Sequence, residues 1–226
     1  MPTVPQLTLT FAEAHGPEQV VPALKILLLL TILSVAPAIL ISMTAFTRIV
    51  IVLSFVRQAL GAQNVPPMQV VMALSFLLTC VAMAPVAQTI DTRAFEPYTQ
   101  KQIDERQAFS ETASVMRDFL VPQTREADLR LFYDLTHAQL PKTRQDVALH
   151  LLVPAFMISE LRTAFEMGFL IFLPFVLIDL IVASILTAMG MVMLPPTMLA
   201  TPLKLLLFVV VDGWSLLSRS IVASFG

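Results

Sequence analysis

Seven charged side chains interrupt the apolar C-terminal region: Glu160, Arg162, Glu166, Asp179, Lys204, Asp212 and Arg219. At the centre of a bilayer each costs at least about 2.5–3.5 kcal/mol. Left unrelieved, the set would exceed the roughly 5–15 kcal/mol of net stability of an ordinary domain. They must therefore meet partners, water or the membrane boundary. A carboxylate at membrane depth suits two kinds of chemistry, ion pairing between helices or relay of a proton. Arg162 and Glu166, four apart, can pair along one helix. Glu160 has Ala164 at that offset, so its cation is expected from elsewhere in the assembly. Asp179, in FLPFVLIDLIVASIL, has no basic neighbour, and pairing across helices or subunits is expected for both carboxylates. Arg48, Arg57, Lys204 and Arg219 read as cations that snorkel to a boundary.

Little else in the sequence could do chemistry. His15, His137 and His150 stand apart from carboxylates and cysteines at ligand spacing, so neither a metal centre nor a general base emerges. The single cysteine, Cys80, sits in an apolar run and reads as a small hydrophobe. Six glycines leave no phosphate-binding loop and no nucleophile elbow. Catalysis is the weakest class, and no cofactor is expected. A net charge of −2 without a basic tract gives nucleic acid no purchase.

Two further features bear on a conduit. TAMGMVMLPPTM places Met189, Met191, Met193 and Met198 around Gly190 and the Pro195–Pro196 step. Thioethers are flexible and polarisable enough either to fill a core or to close around variable cargo. Pro37, Pro154 and Pro174 fall inside apolar runs, where each removes a backbone hydrogen bond and kinks a helix. Broken helices at membrane depth are tolerated where protein or a water-filled cavity covers the freed groups.

The elements that must carry these residues are apolar helices. The chain is 57% hydrophobic and 13% charged, with a mean hydropathy of +0.80, against about 25% charged in a soluble domain. Residues 1–22 form a polar lead-in without the basic and apolar regions of a secretory signal. Residues 23–90 hold a first apolar hairpin, opening on the uncharged run Ile26–Thr47. Residues 91–147 are a hydrophilic insert containing 18 of the 30 charged residues. Residues 148–226 form a second apolar hairpin with the methionine-rich loop. Within the insert Phe109, Ala113, Met116 and Leu120 share one helix face, and Leu129, Phe132 and Leu135 another. Thr99 with Gln102, and Thr143 with Asp146, have capping-box spacing, while Pro122 and Pro141 mark breaks. The fold expected is an all-α membrane protein of kinked helical hairpins with a small helical extracytoplasmic insert. Arg48 and Arg57, between the first two spans, put that connection in the cytoplasm and the insert outside. PAILISMTAF (Pro37–Phe46) echoes PAFMISELRTAF (Pro154–Phe165), a faint trace of repeated hairpins.

The stretch PAFMISELRTAFEMGFLIFLPFVLIDLIVASILTAMGMVMLPP, followed by PLKLLLFVVVDGW, resembles the FliP family of flagellar export-gate proteins. So do MTAFTRIVIVLSFVRQALGAQNVPP and TREADLRLF, and the likeness covers nearly everything from Pro37 to Trp214. Injectisome counterparts of type III secretion are similar, with ALGAQNVPP and TREADL closer to the flagellar form. The resemblance implies a non-enzymatic subunit of a helical ring of roughly five copies. The gate proteins FliQ and FliR would join it, above the remaining export-apparatus proteins, in the lipid of the bacterial inner membrane at the flagellar basal body. Unfolded rod, hook and filament subunits would leave the cytoplasm through the ring, with the insert on the periplasmic side.

On this resemblance Met189, Met191, Val192 and Met193 fall at a methionine-rich constriction, where Val192 departs from an all-methionine run. Arg125 of TREADL and Glu160 of ISELRTAF are positions that pair between neighbouring subunits. Asp179, Arg162, Glu166, Lys204 and Asp212 remain as buried charges, with no partner named for Asp179. Family members often begin with a cleaved signal sequence, which this chain does not show. Two rival readings come from the residues themselves. One is a small secondary transporter with Asp179 or Glu160 as proton relay. The other is a membrane-anchored scaffold that binds through its insert.

Overall fold

A computed structural model describes residues 17–62, 65–141, 143, 146–191 and 193–225. The lead-in to residue 16, with His15, and the constriction residue Val192 lie outside them. All regular structure among the described residues is helical. By compactness the chain divides into two units, residues 1–40 and 41–226.

The first unit is formed by α1 (Pro17–Ser42). Its Leu and Ile run, Leu24–Ile39, is apolar and turned outward along its length. Thr31 and Ser34 in that run donate their hydroxyls to the Leu27 and Thr31 carbonyls, at 2.8 Å each, and are satisfied within the helix. The chain turns at Met43–Ala45, so the run expected over Ile26–Thr47 is broken before its end.

The second unit is organised around α2 (Phe46–Leu60), which buries Arg48, Ile49, Val52, Leu53, Val56, Ala59 and Leu60. Their spacing of three, four and one places them on one broad helix face. Gly61, at φ 67, ends the helix in the left-handed conformation that glycine adopts without strain. The upper part of this face packs with Val71, Ala82, Ala164 and Ile221, the lower part with Phe175, Phe208 and Leu217. The approach to α7 (Leu149–Ala188) is close because residue 168 is glycine: a Cβ there would lie 2.5 Å from the Phe55 ring.

Helix α3 (Met68–Ile90) buries Val71, Ser75, Thr79 and Ala82, a face of small residues. Ser75 and Thr79 donate to the carbonyls one turn back, at 2.7 Å each, so neither needs a partner across the interface. The helix runs on through Pro85, a π turn (Asp91–Phe95) and α4 (Glu96–Thr99). Met68–Thr99 is therefore one stretch of 32 residues, apolar and long enough to cross a membrane. It passes the boundary at residue 91 that composition had suggested.

The insert is helical, with two corrections. The capping box that opens α5 (Glu105–Gln123) is Asp104 with Gln107, at 2.7 and 3.2 Å. Thr99 instead donates to the Glu96 carbonyl. Pro122 lies inside α5, and the break follows it at Thr124. Helix α6 (Glu126–Leu135) comes next. Leu120 of α5 and Val147 share a core with Leu152 and Phe156 of α7, so the insert is completed by the first turns of that helix rather than by itself.

Helix α7 is continuous for 40 residues through both Pro154 and Pro174, and it too is long and apolar enough to cross a membrane. The breaks expected at these prolines do not occur. The other hydrogen bonds of a long helix and its packing on α2 outweigh the roughly 3 kcal/mol that a proline costs. The echo of Pro37–Phe46 in Pro154–Phe165 is likewise not structural. The first straddles the α1–α2 turn, whereas the second lies within α7. Helices α8 (Pro196–Val210) and α9 (Gly213–Ala223) bend by 65° at their junction. Asp212, at φ 50, makes that bend.

Candidate functional site

Arg48 falls on the same α2 face as Ile49, Val52 and Val56, so packing that face carries a guanidinium inside with only 2% of it exposed. Glu160 holds the equivalent position on α7, at 0% exposed. Two buried ions cost several kcal/mol each unless every donor and lone pair is engaged. Here they are. Arg48 Nε donates to Glu160 Oε2 at 2.8 Å, and Nη2 donates to Glu160 Oε1 and, at 3.0 Å, to Gln123 Oε1. Nη1 donates to the carbonyl and the hydroxyl of Ser224, both at 2.9 Å. The guanidinium carbon lies 3.9 Å from the centre of the Phe225 ring, a cation–π contact. One side chain thus joins α2, α5, α7 and the turn after α9. The expectation that Arg48 snorkels is corrected: within the chain it is the cation of Glu160, a place the resemblance gives to Arg125 of a neighbouring copy.

Arg125 has a different partner. Its Nη2 donates to Glu166 Oε2 at 2.6 Å, with the two side chains 37% and 56% exposed. The hydrogen bond to Glu166 holds the Arg125 guanidinium above its ordinary pKa. Arg162, expected to pair with Glu166 along the helix, reaches instead toward Asp128 Oδ1 at 3.9 Å. Ser159 fastens the start of α6 onto α7, donating to Asp128 Oδ2 at 2.7 Å and accepting from the Arg125 backbone N–H at 3.0 Å.

Asp179 also finds its cation inside the chain. Lys204 Nζ donates to Asp179 Oδ2 at 2.6 Å, tying α7 to α8. Lys204 is buried, so it does not snorkel, while the Asp179 side chain is 37% exposed. Arg162, Glu166 and Asp212 are exposed rather than buried, because they fall on the outer faces of α7 and of the α8–α9 bend. Among the described residues no three His, Cys, Asp or Glu side chains converge as a metal site.

The methionine-rich segment forms the turn between α7 and α8. Gly190 N–H donates to the Thr187 carbonyl and Met191 N–H to the Leu186 carbonyl, at 3.0 and 2.9 Å. With Gly190 at φ 74 this is a Schellman closure, the reason a glycine stands there. Its usual apolar contact is present: Met191 packs on Val182, Leu186 and Ala200. Met189, Met193 and Met198 point away, 66%, 97% and 69% exposed. Of the residues named for the constriction, Met191 is thus mostly a packing residue.

Sequence reasoning misread Arg48 and passed over Asp128 and Ser159. An arginine in register with the apolar stripe of a helix was the signal available for the first. For Asp128 and Ser159, 31 residues apart, no local signal existed.

The chain matches the FliP family model over residues 29–221. It is 49% identical to a flagellar biosynthetic protein FliP of Bacillus subtilis over 94% of this chain and 96% of that one. It is 45% identical to one of Cereibacter sphaeroides over 96% and 72%, and 41% identical to one of Aquifex aeolicus over 98% and 92%. Two helices able to cross a membrane, polar groups paired inside the chain and a match over most of its length lead to one conclusion: this chain belongs to the FliP family of flagellar biosynthetic proteins.

Proposed function

We propose that this chain is a pore-forming structural subunit of the flagellar protein-export gate in the bacterial inner membrane. Roughly five copies would form a ring with FliQ and FliR, standing above the other export-apparatus proteins. Unfolded rod, hook and filament subunits would pass through it, with the insert on the periplasmic side. The observation that carries this reading is the α7–α8 turn. There a rigid Schellman closure holds Met189, Met193 and Met198 outward, a soft apolar tip that none of the described residues covers. Relatives named for flagellar biosynthesis favour the flagellar over the injectisome gate. The transporter reading is weaker, since Glu160 and Asp179 each already hold a cation. The shared core of the insert and α7 argues against an insert that acts as a separable binding module.

The test is the mass of the detergent-extracted complex together with membrane leakage. A ring of roughly five copies is expected, and replacing Met189, Met193 and Met198 by Ala should raise leakage of ions and small solutes. A monomer or dimer with pH-dependent solute uptake would sink the gate.

A further inference from the structure

Among the described residues the three most exposed methionines are Met193, Met198 and Met189, and all three stand at one turn. Methionines elsewhere are half-buried or, like Met68 and Met72, 41% exposed. The surroundings of the turn are unusually poor in polar groups. No charged residue lies between Asp179 and Lys204. The hydroxyls of Ser184, Thr187 and Thr201 each donate to a carbonyl of their own helix at 2.8 Å. The turn's own amides at Gly190 and Met191 are spent in the Schellman closure.

We propose that this turn is an oxidant-sensitive modification site, at which Met189, Met193 and Met198 are converted to methionine sulfoxide by a peroxide and the apolar seal loosens in consequence. The thioether sulfur attacks one oxygen of the peroxide. An S–O bond forms and the O–O bond breaks. Sulfur is oxidised by two electrons; with hydrogen peroxide the departing hydroxide becomes water by taking up the proton that the new S–OH group releases, leaving the sulfoxide. Each sulfoxide puts a strong acceptor on a side chain that was apolar. With the Ser184, Thr187 and Thr201 hydroxyls and the Gly190 and Met191 amides already committed, that acceptor draws in water. In a ring the change repeats in every copy. Met191, packed under Val182, Leu186 and Ala200, is shielded and serves as an internal control. The loosening rests on the gate reading above; the site of oxidation does not.

The experiment uses membrane vesicles carrying the full chain with its native partners, exposed to hydrogen peroxide. Peptide mass spectrometry follows oxidation at each methionine while dye and potassium leakage are recorded. Met193 should be oxidised at least about twofold faster than Met72, with Met191 slowest of the turn. Leakage should rise with oxidation and fall again after treatment with sulfoxide reductases and a thiol. A Met189→Leu, Met193→Leu, Met198→Leu variant, compared with its own leakage before peroxide, should show no peroxide response. Oxidation of Met72 or Met191 ahead of Met193 overturns the site. Oxidation of the turn without added leakage, where the triple Ala variant does leak, overturns the loosening and leaves the gate reading intact. Vesicles that leak in neither case overturn both.

Discussion

Arg48 and Glu160, 112 residues apart in sequence, form a two-point ion pair that water does not reach. Every N–H of the guanidinium has an acceptor, supplied by Glu160, Gln123 and Ser224. The pair therefore stabilises a particular arrangement of four helices more than it adds gross energy, since desolvation cancels much of the attraction. Removing one partner leaves the other charged and buried. Arg48→Ala or Glu160→Ala should each cost about 3–5 kcal/mol, read by denaturant titration in detergent. The double variant Arg48→Met, Glu160→Leu should cost clearly less than either single one. Equal losses in all three would show that the pair is not what holds the helices.

The crossing of α2 and α7 depends on the missing side chain at residue 168. A methyl group there would sit 2.5 Å from Phe55 Cδ2, and Phe55 is itself held edge-on against Phe165. Gly168→Ala should destabilise by about 1–3 kcal/mol, and Phe55→Leu in the same chain should recover part of it. Thermal unfolding in detergent measures both.

Lys204→Met leaves the Asp179 carboxylate without its cation in an apolar setting. A loss of about 1–3 kcal/mol is expected, below that for Arg48 because the Asp179 side chain is 37% exposed. Exchanging the two, Asp179→Lys with Lys204→Asp, should restore much of the stability. Failure of the exchange, with both single variants folded, would mean that the lysine serves something other than its pairing.

Gly190 closes α7 at φ 74, a conformation that costs a side-chain-bearing residue roughly 1–2 kcal/mol. Gly190→Val should therefore lower stability and shift the exposed methionines, while Gly190→Asn is tolerated. Cysteine-labelling rates at a Met193→Cys reporter would detect the shift, which should be absent in the Asn variant.

The Arg125–Glu166 pair lies at the surface, where ion pairs contribute little and are screened by salt. Glu166→Gln should leave unfolding of the isolated chain nearly unchanged at any ionic strength. A large effect would show that Arg125 is held more tightly than its exposure implies.

Sequence and structure agree best on properties that depend on neighbours along the chain. The turn at Gly190 was legible because a glycine and two prolines in TAMGMVMLPP leave a helix few ways to continue. The helices of the insert were legible from their apolar spacing, although the box that opens α5 is Asp104 with Gln107. Proline misled in the other direction. Pro154 and Pro174 read as breaks, yet both are absorbed within a helix whose packing outweighs the lost hydrogen bonds.

The misplaced charges divide the two kinds of knowledge most clearly. Composition alone required that Glu160 and Asp179 have partners, because the penalty for an unpaired ion in an apolar setting depends on no detail of the fold. Which cation answers each was beyond sequence reasoning. Arg48 and Lys204 looked like boundary residues, and they become partners because α2 and α8 pack on the faces of α7 that carry the acids. The sequence by itself thus determined a helical membrane protein whose misplaced charges need relief, with a methionine turn. Only the tertiary structure decided who pairs with whom. Coulomb attraction and hydrogen bonding act across a few ångströms, and distance along the chain does not predict which residues packing brings that close.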